Sequence, residues 1–328
     1  MPDLDLTLDR DRLERVRREA AVVLDHPAIF RISGPGALAC MQGLLTNDLE
    51  KPGDENLVYG AMLTPKGMIV ADGWIARHGG AMTLIAPARG REAVQAIFQR
   101  ALPPRLARAE DVTDTSAVAW ILGERGSHTL AQSGIGAPDA AGRVLEQVGA
   151  GASLLVAQAP EGAPFAALIA GPAQEVETAA RRIQLAGALR GDDGDLHAAR
   201  ILAGWPALGV EIDEKTLPQE VRYDAIGGVS YTKGCYTGQE TVARLHFRGH
   251  TNRELRGLTW REAGAPEGRS VVAGEKEVGT VRSTLTVDGR TLGLAIMRRD
   301  VEPGAEVVAG GRGAKVVRLP FGGGELDA

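Results

Sequence analysis

The first half of the chain alternates short apolar runs with turns that carry Gly, Pro and Asp. Ala28–Ser33 reads as a strand and Pro35–Leu45 as a helix, with Ser33 as its cap and Pro35 suited to its first turn. Leu57–Leu63 and Met68–Ala76 read as two strands around Thr64-Pro65-Lys66-Gly67, a hairpin signal. Met82–Ala86 adds a strand and Arg89–Ala101 a helix. The middle repeats this texture, with strands at Ala117–Leu122, Leu154–Ala157 and Phe165–Ala170. A helix follows over Pro172–Leu189, its apolar positions at Val176, Ala180, Ile183 and Ala186. Ala-, Gly- and Pro-rich loops at 133–142 and 158–164 mark subdomain edges.

After Gly249 the pattern changes. Glu254–Trp260, Val271–Val272, Glu277–Val287, Arg290–Met297, Ala305–Val308 and Ala314–Leu319 are strand-like runs with no helical period between them. They predict a small β-barrel. Residues 9–20 form a short charged helix or an arm, and the glycines at 322–324 a frayed end. The expected division is an arm at 1–24, a domain of two α/β subdomains at 25–249 and a barrel domain at 250–328. The fold class is α+β.

Composition narrows the classes. The 328 residues suffice for about two domains, and 44% hydrophobic with 24% charged residues is ordinary for a globular protein. A net charge of −5 argues against a surface that binds nucleic acid throughout, while leaving room for a local basic patch. Two cysteines, Cys40 and Cys235, make neither a disulfide framework nor a zinc site. No apolar run reaches membrane-spanning length, and the Asp- and Arg-rich start lacks the apolar stretch of a secretory signal. The expected setting is cytoplasmic, with no membrane.

Candidate chemistry concentrates at residues 231–249. Cys235 lies beside Lys233, between Gly234 and Gly238 and next to Tyr236, while Gln239, Glu240 and Arg244 follow. A thiol beside a cation is the setting that raises cysteine reactivity, and the glycines would let the backbone approach a ligand. Cys235 is a reactive thiol, a metal or cluster ligand, or a small residue at a pocket wall. Cys40, among Leu38, Leu44 and Leu45, reads first as core. His246 and His250, four apart, would share a helical face, but Phe247-Arg248-Gly249 does not read as helix and no second ligand pair follows. Gly34-Pro35-Gly36-Ala37-Leu38-Ala39 mimics a dinucleotide fingerprint, yet Pro35 removes a donor and no acid closes a second strand.

Lys233-Gly234-Cys235-Tyr236-Thr237-Gly238-Gln239-Glu240 resembles the signature of the YgfZ family, folate-binding proteins related to the aminomethyltransferase, or T-protein, of glycine cleavage. Further blocks resemble the same superfamily. They are Phe30 to Ala37 with Thr46-Asn47-Asp48-Leu49, Leu63 to Gly67, Arg200 to Pro206, and Leu217-Pro218-Gln219-Glu220. The resemblance covers about 28–320. It implies T-protein-like α/β subdomains around a central folate cavity, a C-terminal β-barrel, and tetrahydrofolate or a one-carbon derivative as cofactor.

The resemblance also implies roles. Glu220 would hold the pterin by accepting two parallel N–H groups. Arg244 or Arg248 would meet the glutamate tail, and Tyr236, Gln239 and Glu240 would complete the pocket. Cys235 would face the same cavity, with Lys233 favouring its thiolate. Where T-proteins carry two adjacent acids, Gly67-Met68-Ile69-Val70-Ala71-Asp72 keeps only Asp72. The function implied first is a tetrahydrofolate-binding factor for iron–sulfur cluster assembly or repair and cluster-dependent tRNA modification. Its partners would be iron–sulfur proteins or their assembly machinery, and a tRNA or tRNA-modifying enzyme. A folate-dependent aminomethyl or one-carbon transferase, using Cys235, Lys233 and Asp72, is the alternative. A scaffold for RNA or protein, using Arg244, Arg248, Arg253 and Arg256, is the third.

Overall fold

The structure, a computed structural model, describes residues 5–148, 153–260, 264 and 266–322. Among these are seven α-helices: α1 (Arg10–Arg18), α2 (Ala37–Gln42), α3 (Arg91–Ala101), α4 (Gly126–Gln132), α5 (Ala173–Leu185), α6 (Asp193–Ala203) and α7 (Gln239–Arg248). The strands form three sheets. Asn56–Leu63, Ile69–His78, Ala81–Ala86, Ala28–Ser33 and Arg108–Asp111 make a five-stranded sheet in that order. A six-stranded sheet runs Leu189–Arg190, Ala21–Asp25, Ser116–Leu122, Ala167–Pro172, Ser153–Gln158, Val144–Val148.

Alternation along the strands explains how these two sheets are placed. In the first, Phe30, Val58, Met62, Ala71, Ile75 and Leu84 point outward into a core with α2 and α3. Their neighbours Ile29, Leu57, Tyr59, Trp74 and Ile85 point the other way. In the second sheet Ala117, Ala119 and Ile121 pack toward α5, while Val118, Trp120 and Leu122 face inward. Successive strand residues face opposite sides, so each sheet covers its helices with one face and gives the other to a shared centre. The strand Ser116–Leu122 is buried throughout, as a strand covered on both faces must be.

The third sheet closes on itself. Arg253–Trp260 pairs with Arg290–Arg298 and with Arg312–Val317; Lys276–Val287, Ser270–Ala273 and Glu306–Ala309 complete a ring of six antiparallel strands. Closure leaves no free edge within the ring. The barrel expectation therefore holds, and the α+β class with it. The glycines at 323 and 324 fall outside the described residues.

The N-terminal segment is woven into this frame. Asp5–Leu8 runs parallel to Thr284–Val287 on the barrel, and Thr284 donates a 2.6 Å hydrogen bond to Asp5. Asp9 caps α1, whose Arg12 donates to Asp195 at 2.9 and 2.6 Å and to Asp192 at 2.8 Å. Those two aspartates form the capping box that starts α6. The acids and arginines read as an arm are a clamp on α6.

Elsewhere the elements depart from the pattern in readable ways. α2 starts after Gly36 with no side-chain cap, so Ser33 plays no capping part. α7 continues through His246, Phe247 and Arg248 and stops at Gly249, against the expectation that these residues are not helical. Its apolar stripe is narrow, with Val242 its only fully buried residue, and the exposed side reads as loop.

Candidate functional site

The inward faces of the two α/β sheets enclose a cavity of about 370 Å³, floored by the 205–210 loop that follows α6. Its volume falls within the range of small-molecule sites. The walls are aromatic. Trp74 stacks on Trp205 with ring centroids 5.4 Å apart, Tyr59 meets Trp205 at 4.8 Å, and Phe165 meets Trp74 at 5.0 Å and Trp120 at 4.8 Å. Three of the four tryptophans in the chain line this space.

One carboxylate stands among these rings. Asp72 is buried, and its Oδ2 accepts hydrogen bonds from the hydroxyls of Tyr59 at 2.6 Å and Tyr223 at 3.1 Å. Its Oδ1 is buried and has no partner among the described residues. Burial raises the Asp72 carboxyl above its ordinary range, against the two tyrosine bonds that favour ionisation. Ala71, the neighbour on the same strand, packs on the opposite face against the α2–α3 core. The acid this chain retains is thus the one that reaches the cavity.

The other polar groups are held from behind. Arg200 on α6 donates to Glu211 at 2.8 Å and to the Trp205 carbonyl at 2.9 Å. Glu211, fully buried, also accepts from the Ala207 N–H at 3.0 Å and the barrel hydroxyl of Ser283 at 2.5 Å. This network ties the loop and the barrel to the cavity floor. His197, one turn before Arg200, is driven down to about 3 by burial and then by the nearby guanidinium, so its ring is neutral. Asp25 accepts from the Trp120 indole at 2.9 Å and is raised by burial.

Of the residues given individual roles in the sequence, Asp72 alone lines the cavity, joined by Arg200, Trp205 and Pro206 of the Arg200–Pro206 block. Glu220 is buried, and its carboxylate accepts from Arg253 at 2.8 and 3.2 Å and from the Leu217 N–H at 3.0 Å. The acceptor capacity expected to read a pterin edge is taken up by a barrel residue. Arg244 and Arg248 are exposed on α7, with Gln239 and Glu240 in its first turn. They stand apart from the cavity walls, as does Cys235.

The signature octapeptide is largely a structural knot. The Lys233 ammonium donates to the carbonyls of Gln42 at 2.8 Å, Leu45 at 2.7 Å and Asn47 at 2.7 Å. All three of its protons are thereby committed to the turn after α2, which removes Lys233 as the group that favours a Cys235 thiolate. Thr237 N–H adds a 3.0 Å bond to the Gly43 carbonyl. Gly238, at φ +83°, lies so close to the hairpin turn that a Cβ there would fall 2.6 Å from the Thr64 carbonyl. Its glycine serves backbone-to-backbone contact, where the sequence suggested approach to a ligand. Tyr236 is buried under the Lys233 ammonium, 5.3 Å from ring centroid to Nζ, and burial pushes its hydroxyl up to about 12. Cys235 is a free, exposed thiol on the outside of this knot, and Cys40 is half-buried.

Lys233 gives a pH prediction. Burial pulls it down to about 8 from 10.5, with Asp48 opposing. Between these values the unfolded chain holds more protons than the folded one, so this group adds stability as pH rises from about 8 to 10.5. It is lost again as pH falls through 8. In urea titrations, Lys233→Met should lack that rise relative to the wild type. At pH 7 it should be less stable by about 1–3 kcal/mol, the scale of leaving buried carbonyls unpaired.

Among the described residues no cluster of three His, Cys, Asp or Glu is placed to hold a metal. His246 stacks on Tyr231 at 3.6 Å, and His250 lies beyond the helix end. No helix is long and apolar enough to cross a membrane. The sequence reading missed Tyr59, Trp120, Phe165 and His197 as cavity residues, while Arg200 and Trp205 lie in the block that the resemblance assigned to the folate pocket. The scarcity of tryptophan was the available signal.

Comparison with known proteins agrees with this architecture. The GCVT N-terminal domain family matches residues 10–136. The glycine cleavage system aminomethyltransferase T from Bartonella henselae superposes with a TM-score of 0.79 over 95% of this chain and 89% of that one, at 17% identity. Sheets, helices and closed barrel together make a T-protein-like fold. The chain is 29% identical over 299 residues to the tRNA-modifying protein YgfZ of Klebsiella pneumoniae (strain 342), covering 86% of each. It is 28% identical over 297 residues to that of Cronobacter sakazakii (strain ATCC BAA-894), again covering 86% of each. Over 112 residues, 32% of this chain and 34% of the relative, identity to the Escherichia coli O6:H1 protein of the same name is 38%. Over most of its length the chain is thus similar to YgfZ proteins, and its first part to the GCVT N-terminal domain family.

Proposed function

We propose that this protein binds a tetrahydrofolate in its central cavity and serves, in the cytoplasm, as a factor for tRNA modification and for the iron–sulfur proteins on which such modification depends. The observation that carries the reading is the unpartnered Oδ1 of Asp72, buried among aromatic rings. Buried carboxylate oxygens are rarely left without a donor, and a pterin edge supplies N–H donors on a flat ring suited to aromatic walls. The residues present therefore fit the cofactor. Asp72 would accept from the pterin, with Tyr59 and Tyr223 holding its other oxygen, while Trp74, Trp205 and Phe165 would flank the ring. Bound tetrahydrofolate supplies a one-carbon carrier and a reducing pterin.

Cys235 belongs to a different surface in this reading. Its exposed thiol is available to a protein partner, separate from the cavity. The second reading, one-carbon transfer from an amine donor, is favoured by Asp72 facing the cavity while Ala71 faces away. It would show as conversion of tetrahydrofolate by the purified protein.

The test is calorimetric titration of the full, reduced chain with tetrahydrofolate, repeated on Cys235→Ala and Glu220→Ala. Micromolar binding by all three is expected, with Glu220→Ala less stable because Arg253 loses its partner. Absence of binding by the wild type would remove the folate reading. Selective loss in Cys235→Ala would return the cysteine to the cavity.

A further inference from the structure

The cavity has one cation without a partner among the described residues. Two arginines line it, Arg200 and Arg89. The charge of Arg200 is met by Glu211, which is wholly buried. Arg89 makes no hydrogen bond or ion pair among the described residues, whereas Arg91, two positions on, is met by Asp111 and Asp114. It is exposed and also lines the cavity, which puts it at the mouth.

Arg89 is also seated. It occupies the short 3-10 turn Ala88–Gly90, between a sheet strand and α3. Its guanidinium lies across Gly209 in the cavity-floor loop, where a Cβ would come within 1.8 Å of Nη1 and 3.0 Å of Cδ. Gly209 itself stands at φ +73°, a conformation that glycine accepts freely. A planar cation packed flat against backbone has already lost much of its side-chain freedom. Less of that freedom is then lost on ligand binding than for a loose surface arginine.

The remaining charged groups sharpen the choice of ligand. Asp25, Asp72 and Asp193 line the same cavity. A ligand with a diffuse negative charge would meet these acids, whereas one with a neutral aromatic body and an anionic end could put the first inside and the second on Arg89. We infer that Arg89 is the anion anchor of the cavity, selecting ligands that carry a carboxylate tail on an aromatic body. This rests on the reading of the cavity as a ligand site, and it assigns to Arg89 the tail contact that the sequence suggested for Arg244 or Arg248.

The experiment follows the quenching of tryptophan fluorescence in full-length wild type and Arg89→Gln. Three probes are titrated: 5-formyltetrahydrofolate, p-aminobenzoylglutamate, which is the tail without the pterin, and 6-methyltetrahydropterin, which has no carboxylate. Arg89→Gln should weaken the first two about tenfold and leave the third unchanged. Arg89→Lys should recover part of the loss, and added salt should weaken tail-bearing probes more in the wild type than in Arg89→Gln. Equal weakening of all three probes would show a structural role and overturn the inference, as would unaltered binding of the tail-bearing two. Failure of p-aminobenzoylglutamate to bind the wild type would overturn it as well. If the wild type binds p-aminobenzoylglutamate through Arg89 but neither folate nor pterin, the anchor stands and the folate reading falls.

Discussion

Replacing Arg200 by methionine is expected to lower stability by about 3–5 kcal/mol, the usual cost of removing one partner of a buried ion pair. Glu211 would then keep a buried charge with only the Ala207 N–H and the Ser283 hydroxyl as donors. The loss should spread beyond one contact, because Arg200 also holds the Trp205 carbonyl and so fixes the tryptophan that stacks on Trp74. Urea denaturation measures the first effect, and a red shift of tryptophan emission in the still-folded variant would report the second. The double variant Arg200→Met with Glu211→Gln should recover much of the loss, since it no longer strands a charge. A single variant as stable as the wild type would mean that water reaches Glu211 and that the network does not organise the floor.

Asp72→Asn should separate stability from binding. Burial raises the Asp72 carboxyl in the folded state, so its contribution to stability is fully present below the unfolded value near 3.8. That contribution is lost as pH rises through the higher folded value. At neutral pH the buried acid is therefore a burden that a neutral amide removes, and the urea midpoint of Asp72→Asn should rise. The same change should weaken tetrahydrofolate binding at least about tenfold, the scale of losing a hydrogen bond to a charged acceptor. The amide oxygen would stay with Tyr59 and Tyr223, turning an N–H donor toward a ligand that also presents donors. A variant that is more stable and binds normally would take Asp72 out of recognition. This pairing of higher stability with weaker function is what a site held at some cost to the fold should show.

Much of the architecture was legible because it rests on local pattern. The hairpin around Thr64–Gly67 and the barrel strands follow from alternation and turn residues, which act over a few positions. α6 was not seen because it is packed on several sides. Asp195, Ala198, Arg200 and Ile201 are all buried, which blurs a single apolar stripe, although Asp192 and Asp195 carried a readable start signal. The site was harder for a related reason. Glu220 looks available in sequence, but its partner Arg253 lies 33 residues on, in the first barrel strand. Lys233 looks poised beside Cys235, but its acceptors are backbone carbonyls that no side-chain pattern reveals. Asp72 was legible as a residue, while the absence of a partner for its Oδ1 exists only once three elements converge.

The strand Asp5–Leu8 bears on how the chain is made. It leaves the ribosome long before its partner Thr284–Val287, and α1 waits for Asp192 and Asp195 in the same way. During synthesis the two α/β sheets must gather while these early residues have no place to dock. Docking of this strand on the barrel therefore waits until the barrel strands are made. A bulky fusion immediately ahead of Asp5 would burden that step.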